Sequence, residues 1–276
     1  MPELPEVETI KNDLLPVIAG HRFVGVELLW ERTLNCPLPD EFRCRLAGQS
    51  ISDIGRRGKY LLFRLDSGDV LIFHMRMTGV LSLRDPAGVP EKHTRAVFRL
   101  DNGKALFFND VRKLGKIWLV DDEDTVIGML GPEPLSTVFT PQVMAQRLVR
   151  RSVPIKALLC DQSFLAGVGN MYADEALFDA RIHPLRQANG LSFEEVNLLY
   201  LSVRKVLESA IVYGGATVSD YLRPGGIMGE AQTLFKVAHH LGKPCTVCGT
   251  PIERIRLRGR GSYYCPKCQP LPLNRA

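Results

Sequence analysis

No run of 18 apolar residues occurs anywhere in this 276-residue chain, so no transmembrane helix is expected. The start of the sequence also lacks a basic segment followed by an apolar one, so no signal peptide is expected. Without a secretory context the seven cysteines read as reduced thiols rather than a disulfide framework, as expected in a cytoplasmic protein. Internal repeats and low-complexity tracts are missing. Acidic residues are scarce in one region: from Gln232 onward only Glu253 is acidic, against Lys236, Lys243, Arg254, Arg256, Arg258, Arg260, Lys267 and Arg275. The whole chain carries a formal charge of only +5, so the local excess, rather than the total, is the footprint of a polyanionic partner. A solvated basic tail would give the same count, but this stretch also carries the residues of a folded unit.

What is present is enough apolar sequence, 45% of the chain, for a sizeable core and more readily two than one. Pro5 to about Leu15 reads as a helix with Val7, Ile10 and Leu14 on one face. From Arg22 to Val120 short β-type runs follow: Phe23–Trp30, Tyr60–Leu65, Val70–Met77, Ala96–Leu100, Ala105–Phe108 and Ile117–Val120. Turns are supplied by Asp66-Ser67-Gly68-Asp69 and Asp101-Asn102-Gly103, and the pattern predicts a mostly antiparallel sandwich or flattened barrel. Gly131-Pro132-Glu133-Pro134 breaks all periodicity and marks a boundary. Beyond it the chain turns helical: Thr140-Pro141 caps one helix, and Ser192 to Glu195 opens another that Gly214-Gly215 stops. Further helices are predicted around Ile155–Cys160 and Tyr172–Ala180, and Tyr221–Gln232 reads as a glycine-rich mobile loop. The predicted domains are 1–130, 131–234 and 235–276.

The chemistry gathers at the first eight residues, Met1-Pro2-Glu3-Leu4-Pro5-Glu6-Val7-Glu8. Removal of Met1 would leave Pro2 with a free secondary amine, and a chain-terminal amine has a pKa of about 8 against about 10.4 for lysine. Such an amine attacks aldehyde-level carbon to give a persistently cationic iminium, an electron sink suited to eliminations. Glu3 lies where it can exchange a proton, and Glu6 one turn on where it can orient the pair. An ordinary acidic helix start, with Pro5 in the first turn, accounts for the same residues, and both readings can hold at once.

Cys245-Thr246-Val247-Cys248 and Cys265-Pro266-Lys267-Cys268 have the C-x2-C-x16-C-x2-C spacing of a four-thiolate zinc site holding a β-hairpin. Four protein ligands leave no open position, so one structural zinc is expected. The hairpin tip would present Arg258-Gly259-Arg260-Gly261 to phosphates, unless it is merely solvated. Gly167-Val168-Gly169-Asn170 precedes a helix start, either an anion-binding loop or a tight turn. Lys59 follows Arg56-Arg57-Gly58 at a strand start, aimed into a groove or simply at solvent. Cys36, Cys44 and Cys160 read as packing residues.

Taken together, Met1–Ile10, Arg57-Gly58-Lys59-Tyr60, Gly131–Leu135, Gly167–Leu177 with Ile182-His183-Pro184, and the four-cysteine hairpin resemble the formamidopyrimidine-DNA glycosylase family (Fpg, also called MutM) from end to end. The resemblance implies an α+β multidomain fold: an N-terminal β-sandwich with a leading helix, a helix–two-turn–helix domain, and a zinc-finger β-hairpin. It implies a monomeric bifunctional glycosylase and abasic-site lyase that removes oxidised purines from double-stranded DNA, with no membrane partner. By the same resemblance Pro2 is the Schiff-base nucleophile, Glu3 the general acid, Lys59 the residue serving β-elimination and Arg260 the one serving δ-elimination. His93, Arg112, Arg151 and Asn170 fall at DNA-contact positions, with His74 and Lys156 as further contacts. Met77, Arg112 and Leu114 fill the space left when a nucleotide is flipped out, an event costing a few kcal/mol.

The chain departs from the family pattern at Leu114, where Phe is usual, at Ala231, where an aromatic is common, and at Val237-Ala238-His239, which lacks the usual tyrosine. The related endonuclease VIII (Nei) branch, acting on oxidised pyrimidines, is the neighbouring alternative, though Leu4 stands where that branch usually has glycine. A non-catalytic zinc-ribbon damage binder is a third reading; it has no use for a terminal proline amine beside Glu3.

Overall fold

Leu4, Val7, Ile10, Leu14 and Ile18 recur at helical spacing, and all five are buried on one face of helix α1 (Leu4–Ile18). The helix opens with a capping box in which the Glu3 carboxylate accepts from the Glu6 backbone and the Glu3 N–H donates to Glu6 Oε2 at 2.7 Å. Pro16 was expected to end the helix near Leu15. It removes one hydrogen bond, but burial of Ile18 keeps the last turn. The computed structural model describes residues 1–85 and 88–271; Arg275 lies outside that range.

Eleven strands and seven helices complete the described chain. The strands are β1 (Phe23–Leu28), β2 (Leu34–Cys36), β3 (Ile51–Arg57), β4 (Tyr60–Leu65), β5 (Val70–His74), β6 (Gly79–Arg84), β7 (Thr94–Leu100), β8 (Ala105–Asp110), β9 (Lys116–Val120), β10 (Glu253–Leu257) and β11 (Arg260–Tyr264). The helices after α1 are α2 (Pro39–Leu46), α3 (Asp124–Ile127), α4 (Pro141–Leu148), α5 (Ile155–Leu159), α6 (Asn170–Asp179) and α7 (Phe193–Val212). The chain divides into two compact units, Met1–Met129 with Ile211–Gln232, and Leu130–Ala210 with the residues from Thr233 onward.

In the first unit a four-stranded sheet, β1-β7-β8-β6, faces a five-stranded one, β2-β9-β5-β4-β3. Among the described residues of these two sheets, every strand pair is antiparallel except β2 with β9. Phe73 of β5 meets Phe98 of β7 and Phe108 of β8 with ring centroids 5.4 and 5.9 Å apart, so the core lies between the sheets. The Asp101-Asn102-Gly103 turn forms as expected, with Gly103 at φ +73° and Asn102 Oδ1 accepting from the Lys104 N–H. Helices α2 and α3 and strands β2, β3 and β6 were not anticipated. Only Phe42 and Leu46 of α2 are buried, amid charged residues, and a register shift between Ile51 and Asp53 breaks the alternation of β3.

The segment Ile211–Gln232 packs within the first unit. Tyr221 joins the sandwich core, the Ala216 N–H donates to Glu6 Oε1 at 2.8 Å, and Arg223 forms a two-point ion pair with Asp13 at 2.6 and 2.8 Å. The Gly229 N–H donates to Thr217 Oγ1, which itself donates to the Tyr221 carbonyl. The stretch read as a loose loop is therefore tied at several points.

In the second unit Thr140 caps α4 through Oγ1 to the Val143 N–H, and Ser192 and Glu195 cap the start of α7 reciprocally. The zinc-type hairpin β10–β11 does not stand alone: Val237, Ile252, Cys245 and Cys265 share a small core with Phe178 of α6. Gln269 also donates to the Ile182 carbonyl at 2.9 Å. Among the described residues no helix is long and apolar enough to cross a membrane.

Candidate active site and nucleic-acid interface

Pro2 and Glu3 are buried at the start of α1, where unpaired helical N–H groups concentrate positive potential. Glu6 is equally buried. One of its oxygens takes the Glu3 N–H and the other the Ala216 N–H, so the start of α1 is fixed to a segment 210 residues away. Arg56 of β3 bonds Glu8 of α1 at 2.7 Å and the Gly58 carbonyl at 3.0 Å, which ties the β3–β4 turn to the same helix. Lys59 follows that turn and is buried, so the solvent-facing alternative does not hold.

His74 ends β5, edge-on to Tyr60 with ring centroids 4.6 Å apart, and its Nδ1 accepts from the Arg76 N–H at 3.0 Å. It is buried, and this hydrogen bond holds the start of the following loop. Burial first, then the nearby charges of Arg76 and Lys59, push its pKa from 6.5 down to about 3. An unfolded histidine takes up a proton below pH 6.5, whereas the folded one stays neutral down to about 3, so stability should fall as pH drops through that window. At pH 4.5 the loss attributable to His74 should be on the order of 2 kcal/mol. Urea unfolding of wild type and His74→Gln at pH 7 and 4.5 checks this; equal acid losses in both proteins would contradict it.

Met77, Arg112 and Leu114 are exposed on the loops that follow β5 and β8, and the Arg112 Nη1 reaches Met77 Sδ at 2.9 Å. His93 is half-buried just ahead of β7, with its Nδ1 3.4 Å from an Arg95 guanidinium nitrogen.

The second unit carries the other predicted residues. Lys156 of α5 is buried, its ammonium paired with Asp174 of α6 and donating to the Asn170 carbonyl at 2.8 Å. Burial pushes the Asp174 carboxyl up to about 7, against the pull of the Lys156 ammonium. The lysine's charge is thus paired inside the fold, where it braces α5 on α6. Asn170 opens α6, its Nδ2 donating to the Gly261 carbonyl of β11 at 2.9 Å while its Oδ1 is buried without a partner among the described residues. Lys156, Asn170, Arg258, Arg260 and Ser262 line a cavity of about 240 Å³, and Ser262 Oγ is likewise buried and unpartnered. Orphaned buried polar atoms beside exposed guanidinium groups suit a polar, anionic ligand. Arg258 and Gly259 turn the hairpin at φ +46° and +79° and leave Arg258 and Arg260 exposed. Arg151 is exposed just after α4.

Cys245, Cys248, Cys265 and Cys268 place their Sγ atoms within 4.8 Å of one another, with pairs at 3.4 and 3.8 Å. A tetrahedron with Zn–S bonds of about 2.3 Å has edges near 3.8 Å, so the four thiolates fit one closed zinc site. Of the other cysteines, Cys44 is exposed, not packed.

Sequence reasoning passed over Asp174, Glu175 and Gln162. Glu175 accepts the N–H groups of Lys236, Val237 and Ala238 at 2.8–2.9 Å, and Gln162 grips the Gly167 N–H and the Val168 carbonyl. The only sequence signal for Asp174 is its place one turn after Asn170 on the same helix face.

Three family models match in order: the formamidopyrimidine-DNA glycosylase N-terminal domain over residues 1–117, the formamidopyrimidine-DNA glycosylase H2TH domain over 130–221, and a zinc finger found in FPG and IleRS over 242–271. A formamidopyrimidine-DNA glycosylase of Symbiobacterium thermophilum is 45% identical over 276 residues, covering 99% of this chain and 90% of the relative. One of Chloroflexus aurantiacus is 44% identical over 98% of both chains. Among solved structures, MutM (FPG) of Thermus thermophilus superposes with a TM-score of 0.89 at 40% identity, covering 99% of this chain and all of the other. A Lactococcus lactis FPG variant in complex with Fapy-dG-containing DNA superposes with a TM-score of 0.92 at 33% identity, covering 98% of this chain and all of that one.

Proposed function

Since the chain belongs to the formamidopyrimidine-DNA glycosylase family, we propose that it is a bifunctional glycosylase and abasic-site lyase of base excision repair, acting on oxidised purines in double-stranded DNA. The observation that carries this reading is the buried Pro2-Glu3 tip of α1, held by Glu6. Once Met1 is removed, the Pro2 nitrogen attacks C1′ of the damaged nucleotide and the glycosidic bond breaks. Glu3 delivers the proton that opens the sugar ring. The resulting iminium draws electrons from C2′. Proton loss there expels the 3′ phosphate, a step assigned to Lys59, and a second elimination on the 5′ side is assigned to Arg260.

The four-cysteine zinc fixes the hairpin, so that Arg258 and Arg260 reach phosphate from a pinned turn. Asn170 contributes at the start of α6, with Lys156 bracing that corner through Asp174. His93, Arg112 and Arg151 contact the duplex; Met77 and Leu114 enter the stack. His74 holds the Arg76 N–H at the start of the Met77 loop. A cytoplasmic, nucleoid-bound monomer completes the proposal.

The test is excision from a duplex panel. Duplexes carrying 8-oxoguanine or formamidopyrimidine should be cleaved at least about tenfold faster, in kcat/KM, than those carrying thymine glycol, a difference of about 1.4 kcal/mol in transition-state binding. The reverse order would move the protein to the endonuclease VIII side, and binding without cleavage would make it a damage binder.

A further inference from the structure

The loops that present Met77 and Leu114 are both strained. Arg76 sits at φ +53° and Lys113 at φ +58°, left-handed conformations that residues with a Cβ rarely adopt and that persist only where surroundings over-determine them. One buried group joins the two loops, beside a direct bond from the Arg112 N–H to Thr78 Oγ1 at 3.2 Å. Asp110, the last residue of β8, is completely inaccessible to solvent. Its Oδ1 accepts from the Thr78 hydroxyl on one loop and from the Arg112 N–H, at 3.1 Å, on the other. Its Oδ2 accepts from the Gly115 N–H at 2.6 Å. Its own N–H donates to the His93 carbonyl at 2.9 Å, and its carbonyl accepts from Arg95 Nε at 2.7 Å. The Lys113 ammonium lies 3.9 Å from the centre of the Trp30 ring, which pins the outer side of the second loop.

Outside this lattice the tips are apolar and open: Met77 is 45% exposed, Val111 54% and Leu114 39%. Apolar side chains held out on strained, cross-tied loops cannot be explained by packing within the unit. We propose that Asp110 is the positioning residue of the duplex-opening wedge: its carboxylate joins the 75–79 and 111–115 loops, so that Met77, Arg112 and Leu114 stand in place before DNA arrives. This rests on the glycosylase reading above. Rigid presentation spares the ordering of two loops at the moment of unstacking, when the lesion nucleotide is being displaced.

Asp110→Asn tests it, because an amide nitrogen cannot accept from Gly115 or Arg112. Thr78→Val removes one tie with little change in volume, and Thr78→Ser retains it. Three readouts are needed: single-turnover excision of 8-oxoguanine from a duplex, fluorescence of 2-aminopurine placed opposite the lesion, and borohydride trapping on a single-stranded abasic oligonucleotide, which has no stack to open. Duplex excision should fall about 10- to 100-fold in Asp110→Asn and several-fold in Thr78→Val, with a weakened fluorescence rise, as expected for a wedge displaced by about 1 Å. Single-strand trapping should stay within about twofold of wild type, and Thr78→Ser should restore duplex excision. Duplex rates unchanged in both Asp110→Asn and Thr78→Val would overturn the proposal. So would single-strand trapping that falls in step with duplex excision, since that marks Asp110 as support for the fold alone. A wild-type protein that trapped neither substrate would overturn the glycosylase reading and this one with it.

Discussion

Protein that retains Met1 should give no borohydride-trapped adduct with abasic-site DNA, whereas the same chain beginning at Pro2 should trap it at least about a thousand-fold faster. While Met1 is attached, the Pro2 nitrogen is an amide whose lone pair is delocalised into the carbonyl. Freed, it is an amine with a reference pKa of about 8. Pro2→Gly keeps a terminal amine and should keep weak trapping; an N-terminal extension should keep none. Mass spectrometry of the reduced adduct settles the attachment point. Deoxyribose found on Lys59, or on any internal side chain, would refute the assignment of the nucleophile.

Loss of the metal should have the second large effect. The hairpin β10–β11 has two strands, and its hydrophobic cluster is little more than Phe178, Val237, Ile252 and the cysteines themselves. An isolated two-stranded hairpin is marginal in water, while a four-thiolate zinc site supplies about 10–16 kcal/mol of apparent binding energy at neutral pH. Chelation should therefore unfold the hairpin, remove Arg258 and Arg260 from the DNA and weaken duplex binding by about 100-fold at moderate salt. The slope of log affinity against log salt should also shrink by about two, one for each lost phosphate contact. Circular dichroism of the β-sandwich should persist, since no cysteine of the zinc set lies in that unit. Duplex affinity that survives verified zinc release would show that the hairpin is not part of the clamp.

Those features that depend on short-range rules were legible in the sequence. The cysteine spacing, the caps at Thr140 and Ser192 and the glycine turns each declare themselves within a few residues, and the structure realises all of them. Helix α2 was hidden because two buried residues, Phe42 and Leu46, make too thin a stripe among Asp40, Glu41, Arg43 and Arg45. The burial of Lys156 against Asp174 could not be read, because nothing local in the chain distinguishes that lysine from a surface one. Asp110 was missed for a similar reason: an aspartate at a strand end before a turn is ordinary until its three acceptor bonds to two loops are seen. The placement of residues 211–232 was out of reach of pattern reasoning, being set by Glu6 with Ala216 and Asp13 with Arg223 across 210 positions each.

That last pairing changes what counts as the smallest catalytic piece. Gly215 passes so close to Glu6 that a methyl group there would meet the carboxylate stem at 2.9 Å, which leaves no room for any other residue. A fragment cut off after the sandwich would contain every side chain assigned to attack and proton transfer, apart from Arg260. It would still lack the amide that holds Glu6 steady. Under the mechanism proposed above, the Pro2 tip is therefore anchored only in a chain that extends at least to residue 216.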